Sequence, residues 1–520
     1  ALPVLRALPV LRALPVLRAL PVLRAPPVRP ALVGVPSEEV AIGEVATPAD
    51  PTYPPALVRS AAPRSAVELA DAVGTLEARL AATPRRAKPI EHATAAYRLG
   101  LAYAEAPGGD RSEKLRRAIS CYELAASIFD PRFDPVEHAR TLNASGAARR
   151  ALGDLPGAAE LFGRAAELFE GRDRDEELAA ALNNLGLART ELGEAIPALE
   201  AYDQAASLFN PESADGRRGL ALTLYNRGQA FAASGTEEGL SDAMEDFSLA
   251  LDQIDPAENA YHYALIHQGR GIVAFSLAGL DAERRGACLE QAVSAFEEAL
   301  GVFSRTAFPF QHALTKYNLG LAWSALAGSA PVGSAPVGSA PVGVVERRVS
   351  LACFEDVVSV LDPRVHPGPW KRAYASLARV EAELAADFPG WGLADHFVAL
   401  LSCVTATERA DLLRERVTRL LALPDAARDA ALIELDASAY KLVTLAARAV
   451  IASQLSAVME LPNDAQEAVV RALMDARNLL GQEGKDAADL VLDGAVGDAL
   501  DGPQRILVRD FMYSMGFVRP

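Results

Sequence analysis

Leu178–Pro211 reads LAAALNNLGLARTELGEAIPALEAYDQAASLFNP, and each half carries one apolar stripe at helical spacing. In the first half Leu182, Leu185, Gly186 and Arg189 share a face; in the second Ala198, Tyr202, Ala205 and Phe209 do the same. Gly193 and Pro197 punctuate the turn between them. Gly186 and Ala198 lack bulk, so the spacing predicts two antiparallel helices whose backbones approach closely, with Tyr202 filling the gap beside them. Such a hairpin cannot bury its apolar face alone and needs copies stacked on either side.

The copies are present. Gly100, Gly146, Gly186, Gly228, Gly269 and Gly320 hold equivalent places, the middle ones about forty residues apart. Small–aromatic–small sets follow them: Ala118/Tyr122/Ala125, Ala158/Phe162/Ala165, Ala198/Tyr202/Ala205, Ala243/Phe247/Ala250 and Ala292/Phe296/Ala299, then a decayed Ser350/Phe354/Val357. Seven residues beyond each aromatic stand Phe129, Phe169, Phe209, Ile254, Phe303 and Leu361.

From about Lys88 to Val404 this pattern resembles the tetratricopeptide repeat, W-x2-L-G-x2-Y followed by A-x3-F-x2-A and P. Gly186-x11-Ala198-x3-Tyr202-x2-Ala205 keeps the family spacing. The tryptophan position is held by Leu142, Leu182, Leu224 and Leu265, and the repeat is longer than the family's, as in kinesin light chains and related bacterial proteins, which ALNNLGLA at Ala181–Ala188 also resembles. The resemblance implies an all-α fold, a right-handed α-solenoid of helix-turn-helix repeats whose concave groove takes a peptide or a partner protein.

Half of the 520 residues are apolar and the formal net charge is −17. That charge argues against nucleic-acid binding, which needs clustered Lys and Arg to displace phosphate counterions. It favours a neutral to basic protein or peptide partner. No apolar run reaches the roughly eighteen residues that span a bilayer. Cys121, Cys288, Cys353 and Cys403 are scattered; Cys121 and Cys353 precede repeat aromatics and read as packing residues. Free thiols of this kind suit a reducing cytoplasm.

Three segments are expected: a Pro/Arg-rich tail at 1–62, the array at 63–404, and a helical end at 405–520. The tail begins with four copies of ALPVLR, whose prolines deny a continuous helix its hydrogen bonds; it reads as an extended or disordered spacer. Three copies of SAPVG lie in a flexible loop at 327–345 between the helices of one repeat. A helix at Ser65–Thr83 would cap the array. First helices are predicted near 90–105, 136–152, 176–192, 218–234, 260–277 and 311–326, with a seventh hairpin at Lys371–Leu384 and Trp391–Val404. Beyond Glu408 the repeat fades, and Leu412–Leu423, Asp436–Glu460, Ala465–Leu480 and Gln504–Met515 read as amphipathic helices.

Catalytic and metal motifs are missing. Gly481-Gln-Glu-Gly484-Lys485-Asp486 has the wrong spacing for a phosphate loop, and H-E-x-x-H and G-x-S-x-G do not occur. His92, His138 and His312 each stand eight residues before a repeat glycine, a repeat position and not a triad. Paired glutamates such as Glu176–Glu177 point about 100° apart on a helix and read as solvated faces. No enzyme, cofactor or metal is expected.

The remaining candidate is the side of each first helix turned away from its own second helix. A 100° step places there Tyr97 and Arg98; Arg140 and Asn143; Asn183, Asn184 and Leu187; Tyr225, Asn226 and Gln229; Tyr263, His267 and Arg270; Tyr317, Asn318 and Leu321. In the family this side lines the concave groove. Asparagine offers donor and acceptor to a peptide backbone and tyrosine adds apolar contact; the plainer alternative is that the amides bond neighbouring repeats. The positions carry no lysine, unlike grooves that clamp a terminal carboxylate. The function expected is a non-enzymatic interaction scaffold, with a peptide-responsive regulator or an enzyme subunit acting through the C-terminal helices as alternatives.

Overall fold

Paired helices meeting at small residues run through the first half of the chain. The computed structural model describes residues 66–106, 110–328, 343–388, 391–442, 444–459 and 461–515, and every regular element among them is a helix. The ALPVLR tail and the SAPVG copies at 329–342 lie outside the described residues. Packing divides the chain into one unit ending at Ala322 and another beginning at Trp323. The boundary expected at 404/405 falls inside the second.

In the first unit α1 (Ala66–Ala82) precedes the pairs α2 (Pro89–Glu105) and α3 (Arg111–Ala126), α4 (Pro135–Ala151) and α5 (Leu155–Phe169), and α6 (Asp175–Leu192) and α7 (Ala195–Leu208). Then come α8 (Ala214–Ala232) with α9 (Glu237–Gln253), α10 (Ala260–Leu280) with α11 (Arg285–Val302), and α12 (Pro309–Ala327). Local chemistry sets the ends. Asp110, Asp154, Ser213 and Thr236 cap four helices by accepting a backbone N–H three residues on. Gly193 closes α6 at φ +79°, a left-handed turn that favours glycine.

The aromatics Tyr122, Phe162, Tyr202, Phe247 and Phe296 are buried, and none of the ten alanines flanking them exposes any surface. Each such ring contributes about 1.5–3 kcal/mol by leaving water. A Cβ on Gly186 would lie 2.5 Å from a Tyr202 ring carbon, and one on Gly146 2.7 Å from Phe162. Phe247 is bounded on two sides, since Cβ atoms on Gly228 and Gly269 would come within 2.8 Å and 3.0 Å of it. Helices α3, α5, α7 and α9 thus pack on their own first helix and on the next one.

The second unit begins as the first does, with α13 (Val344–Val360) against α14 (Pro367–Asp387), and then changes its rule. It continues with α15 (Leu393–Leu401), α16 (Ala406–Leu421), α17 (Asp425–Tyr440), α18 (Thr444–Val458), α19 (Asn463–Asn478), α20 (Gln482–Ala499) and α21 (Gly502–Ser514). Here α15 packs on α17, α16 on α18, α17 on α19 and α18 on α20, more extensively than chain neighbours pack on each other. Phe397, Leu413, Ile451, Leu473, Leu492 and Met512 share its main core.

Two expectations are corrected here. Asp436–Glu460 is not one helix: the chain breaks after Tyr440 without Gly or Pro, because α17 and α18 pack on different partners. Helix α20 is not predicted by the sequence pattern, since Gly484, Gly494 and Gly497 weaken its helical signal.

Candidate functional site

The first helices touch in succession, α2 to α4, α4 to α6, α6 to α8 and α8 to α10, so their outward sides form one continuous face of the first unit. Amides stitch that face. Asn184 Nδ2 donates to Asn143 Oδ1 at 3.0 Å, and Asn226 Nδ2 donates to Asn183 Oδ1 at 3.0 Å. The rule is the same both times: the residue two before one repeat glycine donates to the residue three before the preceding glycine. Asn183 and Asn184 are buried by this arrangement.

The ladder then stops. His267 and Asn318 occupy the donor position in the next two first helices, where the register places Tyr225 and Ile266 instead of an amide acceptor. Asn318 is 1 % exposed and neither amide atom has a hydrogen-bond partner; His267 is 7 % exposed and neither ring nitrogen has one. Burial, helped by the Arg270 cation, pushes His267 down to about 4, so its ring is neutral. Tyr263 packs on that ring at 4.5 Å between centroids.

The other candidates are placed as follows. Tyr97 lies against Tyr122 and Tyr225 against Phe247, with centroids 6.0 and 5.7 Å apart. Burial raises the Tyr97 phenol above its ordinary value, against the pull of Arg140. Arg140 is paired with Glu177 on the next first helix. The Gln229 amide lies 3.2 Å from where a Gly269 Cβ would stand, and Tyr317 is buried. Arg270 is half-buried and makes no ion pair among the described residues. The sequence reading missed one cross-helix bond, from Gln268 Nε2 to Thr315 Oγ1 at 2.9 Å. Both residues are buried polar positions one step off the face, which is the signal that could have found them.

The recurrent histidines have a structural task. His138 Nδ1 donates to Phe129 O at 2.7 Å and His312 Nδ1 to Phe303 O at 2.9 Å, and His92 bonds Thr83 O at 2.7 Å in the same way. Each ties a first helix to the segment nine residues earlier, and the carbonyl acceptor fixes the Nδ1–H tautomer. No disulfide joins the four cysteines, and burial pushes the Cys121 thiol up to about 11, which suits packing.

Glycine in each first helix seated on the aromatic of a second helix, alanines flanking that aromatic, and first helices joined along one face together define the repeat. The repeats resemble the tetratricopeptide type. No family model matches the chain, and no curated protein matches it. Among solved structures it is similar to BtubC (BKLC) from P. vanneervenii, with 20 % identity over 43 % of this chain and 89 % of that one, at a TM-score of 0.34. A Rap protein complexed with Competence and Sporulation Factor is 13 % identical over 61 % of this chain and 81 % of its own, TM-score 0.35. Yeast Tom70 is 12 % identical over 82 % and 96 %, TM-score 0.19. Likenesses this distant say nothing of function. No helix among the described residues is long and apolar enough to cross a membrane.

Proposed function

We propose that the first unit binds an extended segment of a protein partner along its first-helix face, and that the ligand backbone is held where the amide ladder is open, at His267 and Asn318. The observation that carries this reading is the pair of buried side chains without partners at the position that is paired in the two earlier rungs. A buried amide left unpaired costs about 1–3 kcal/mol. A peptide N–H and C=O would satisfy Asn318 while His267 takes one further bond. Arg140, Asn143, Asn183, Asn184 and Asn226 hold the face together and set its shape; Tyr97, Tyr225, Gln229, Arg270 and Tyr317 complete its lining. The chain's negative charge favours a neutral to basic segment.

The test is selection of twelve-residue peptides by display on the full chain, followed by titration of the winners into variants. Asn318→Leu and His267→Leu should keep or raise the melting temperature, since each removes an unpaired polar group, and should weaken peptide binding about tenfold for each bond lost. Asn184→Ala with Asn226→Ala should instead lower the melting temperature, because Asn143 and Asn183 lose their donors. Equal peptide affinity in Asn318→Leu, His267→Leu and the parent would end the reading.

A further inference from the structure

Among the described residues, no acid pairs with one buried cation of the second unit. Arg348, on α13, is 8 % exposed, and its Nε has no hydrogen-bond partner. Its guanidinium carbon lies 4.8 Å from the ring centroid of Phe388 and 5.3 Å from that of Trp391. These rings stand 4.9 Å apart at the junction of α14 and α15, both half-buried, so their edges reach the surface. His396 on α15 packs on the same two rings, at 5.9 and 5.5 Å; it is 1 % exposed, and neither ring nitrogen has a partner.

Three acids of the surrounding helices are committed elsewhere. Asp387 pairs with Arg347 at 2.7 Å, Asp395 with Lys441 at 2.6 Å, and Glu355 with Arg416. Asp395 also accepts the Gly392 N–H at 3.0 Å. The Cys403 thiol favours the Arg348 charge, while burial and the neighbouring Arg347 cation disfavour it. A guanidinium taken out of water without a counter-ion carries a desolvation penalty, which contact with aromatic faces returns only in part. The cation also disfavours protonation of His396, which burial already pushes down to about 4, so the imidazole is neutral and donates a single N–H.

We propose that Arg348 and His396 form a binding site for a small monoanionic carboxylate bearing a planar apolar group. The carboxylate oxygens take the guanidinium N–H groups and the His396 N–H, and the planar group lies along the edges of Phe388 and Trp391. One cation and one neutral donor balance a single negative charge. A phosphate dianion would leave one charge buried and uncompensated, which is why the carboxylate is favoured.

The experiment uses the full chain, sodium benzoate as probe, and benzamide and inorganic phosphate as controls at equal ionic strength. Benzoate should quench tryptophan fluorescence saturably and raise the melting temperature, while benzamide and phosphate do neither. Arg348→Met replaces an unpaired cation by an apolar chain of similar length, so without ligand it should melt at or above the parent temperature, and its benzoate affinity should fall at least about tenfold. His396→Phe, which keeps the cation and removes the donor, should weaken benzoate about tenfold. The wild-type titration stands on its own should a variant fail to fold. No saturable benzoate response in the wild type, an equal response to benzamide or phosphate, or undiminished benzoate affinity in Arg348→Met would overturn the proposal. A lower melting temperature for ligand-free Arg348→Met would overturn it too, since the guanidinium would then be a packing group that needs no anion.

Discussion

Asp436 shows how much one side chain can set. It exposes no surface, accepts from Gln454 Nε2 at 2.9 Å through Oδ1, and leaves Oδ2 without a partner. Burial pushes its carboxyl well above the ordinary range, so the folded protein keeps a proton that the unfolded chain releases above about pH 3.9. The unfolded state then binds fewer protons, and stability falls as pH rises from there through the folded value. Asp436→Asn removes that penalty. Urea melts at pH 7 should show the variant more stable, on the order of 1 kcal/mol, with the gap closing as the pH approaches 4. Nothing in the sequence marked Asp436 as different from its exposed neighbours, since a protonated buried acid is a product of packing.

At the scale of the helix, contact between Gly186 and Tyr202 is the weak point. Gly186→Leu must displace a ring already at zero exposure, and overpacking of this kind costs about 1–3 kcal/mol. A calorimetric melt should show a loss of several degrees, and an unchanged melt would place Gly186 off the helix crossing. This contact was legible beforehand because glycine, alanine and aromatic spacing is local and repeats. The first helices were placed within a few residues for the same reason. The rung partners were not legible: the sequence showed asparagines on one side of a helix, but Asn184 with Asn143 depends on the offset between neighbouring pairs. The break after Tyr440 was hidden too, since partners far along the chain set it.

For the molecule as a whole, three histidines held below their ordinary value bear on acid stability. His262, His267 and His396 are each pushed down to about 4, chiefly by burial, with Arg218, Arg270 and Arg348 adding to it. An unfolded histidine takes a proton near pH 6.5, so between about 6.5 and 4 the unfolded chain binds more protons and stability is lost as pH falls. Each contributes on the order of 1 kcal/mol. The melting temperature should drop between pH 6.5 and 5, and His267→Leu should flatten that slope; an equal slope in both proteins would mean that water reaches the ring. Composition and charge bounded what was expected of the whole, arguing against a nucleic-acid binder. They gave no sign of the unpaired Arg348, because an arginine without an acid looks like any other until its neighbours are known.

The change of packing rule in the second unit bears on how the chain is made. In the first unit a helix meets its partner as soon as the next helix leaves the ribosome. In the second, α16 must wait for α18 and α17 for α19. At about 5–20 residues per second, two amphipathic helices stand with apolar faces in water for about a few seconds on every molecule made. The C-terminal third is thus the stretch of synthesis in which a nascent chain is most open to aggregation and to capture by chaperones.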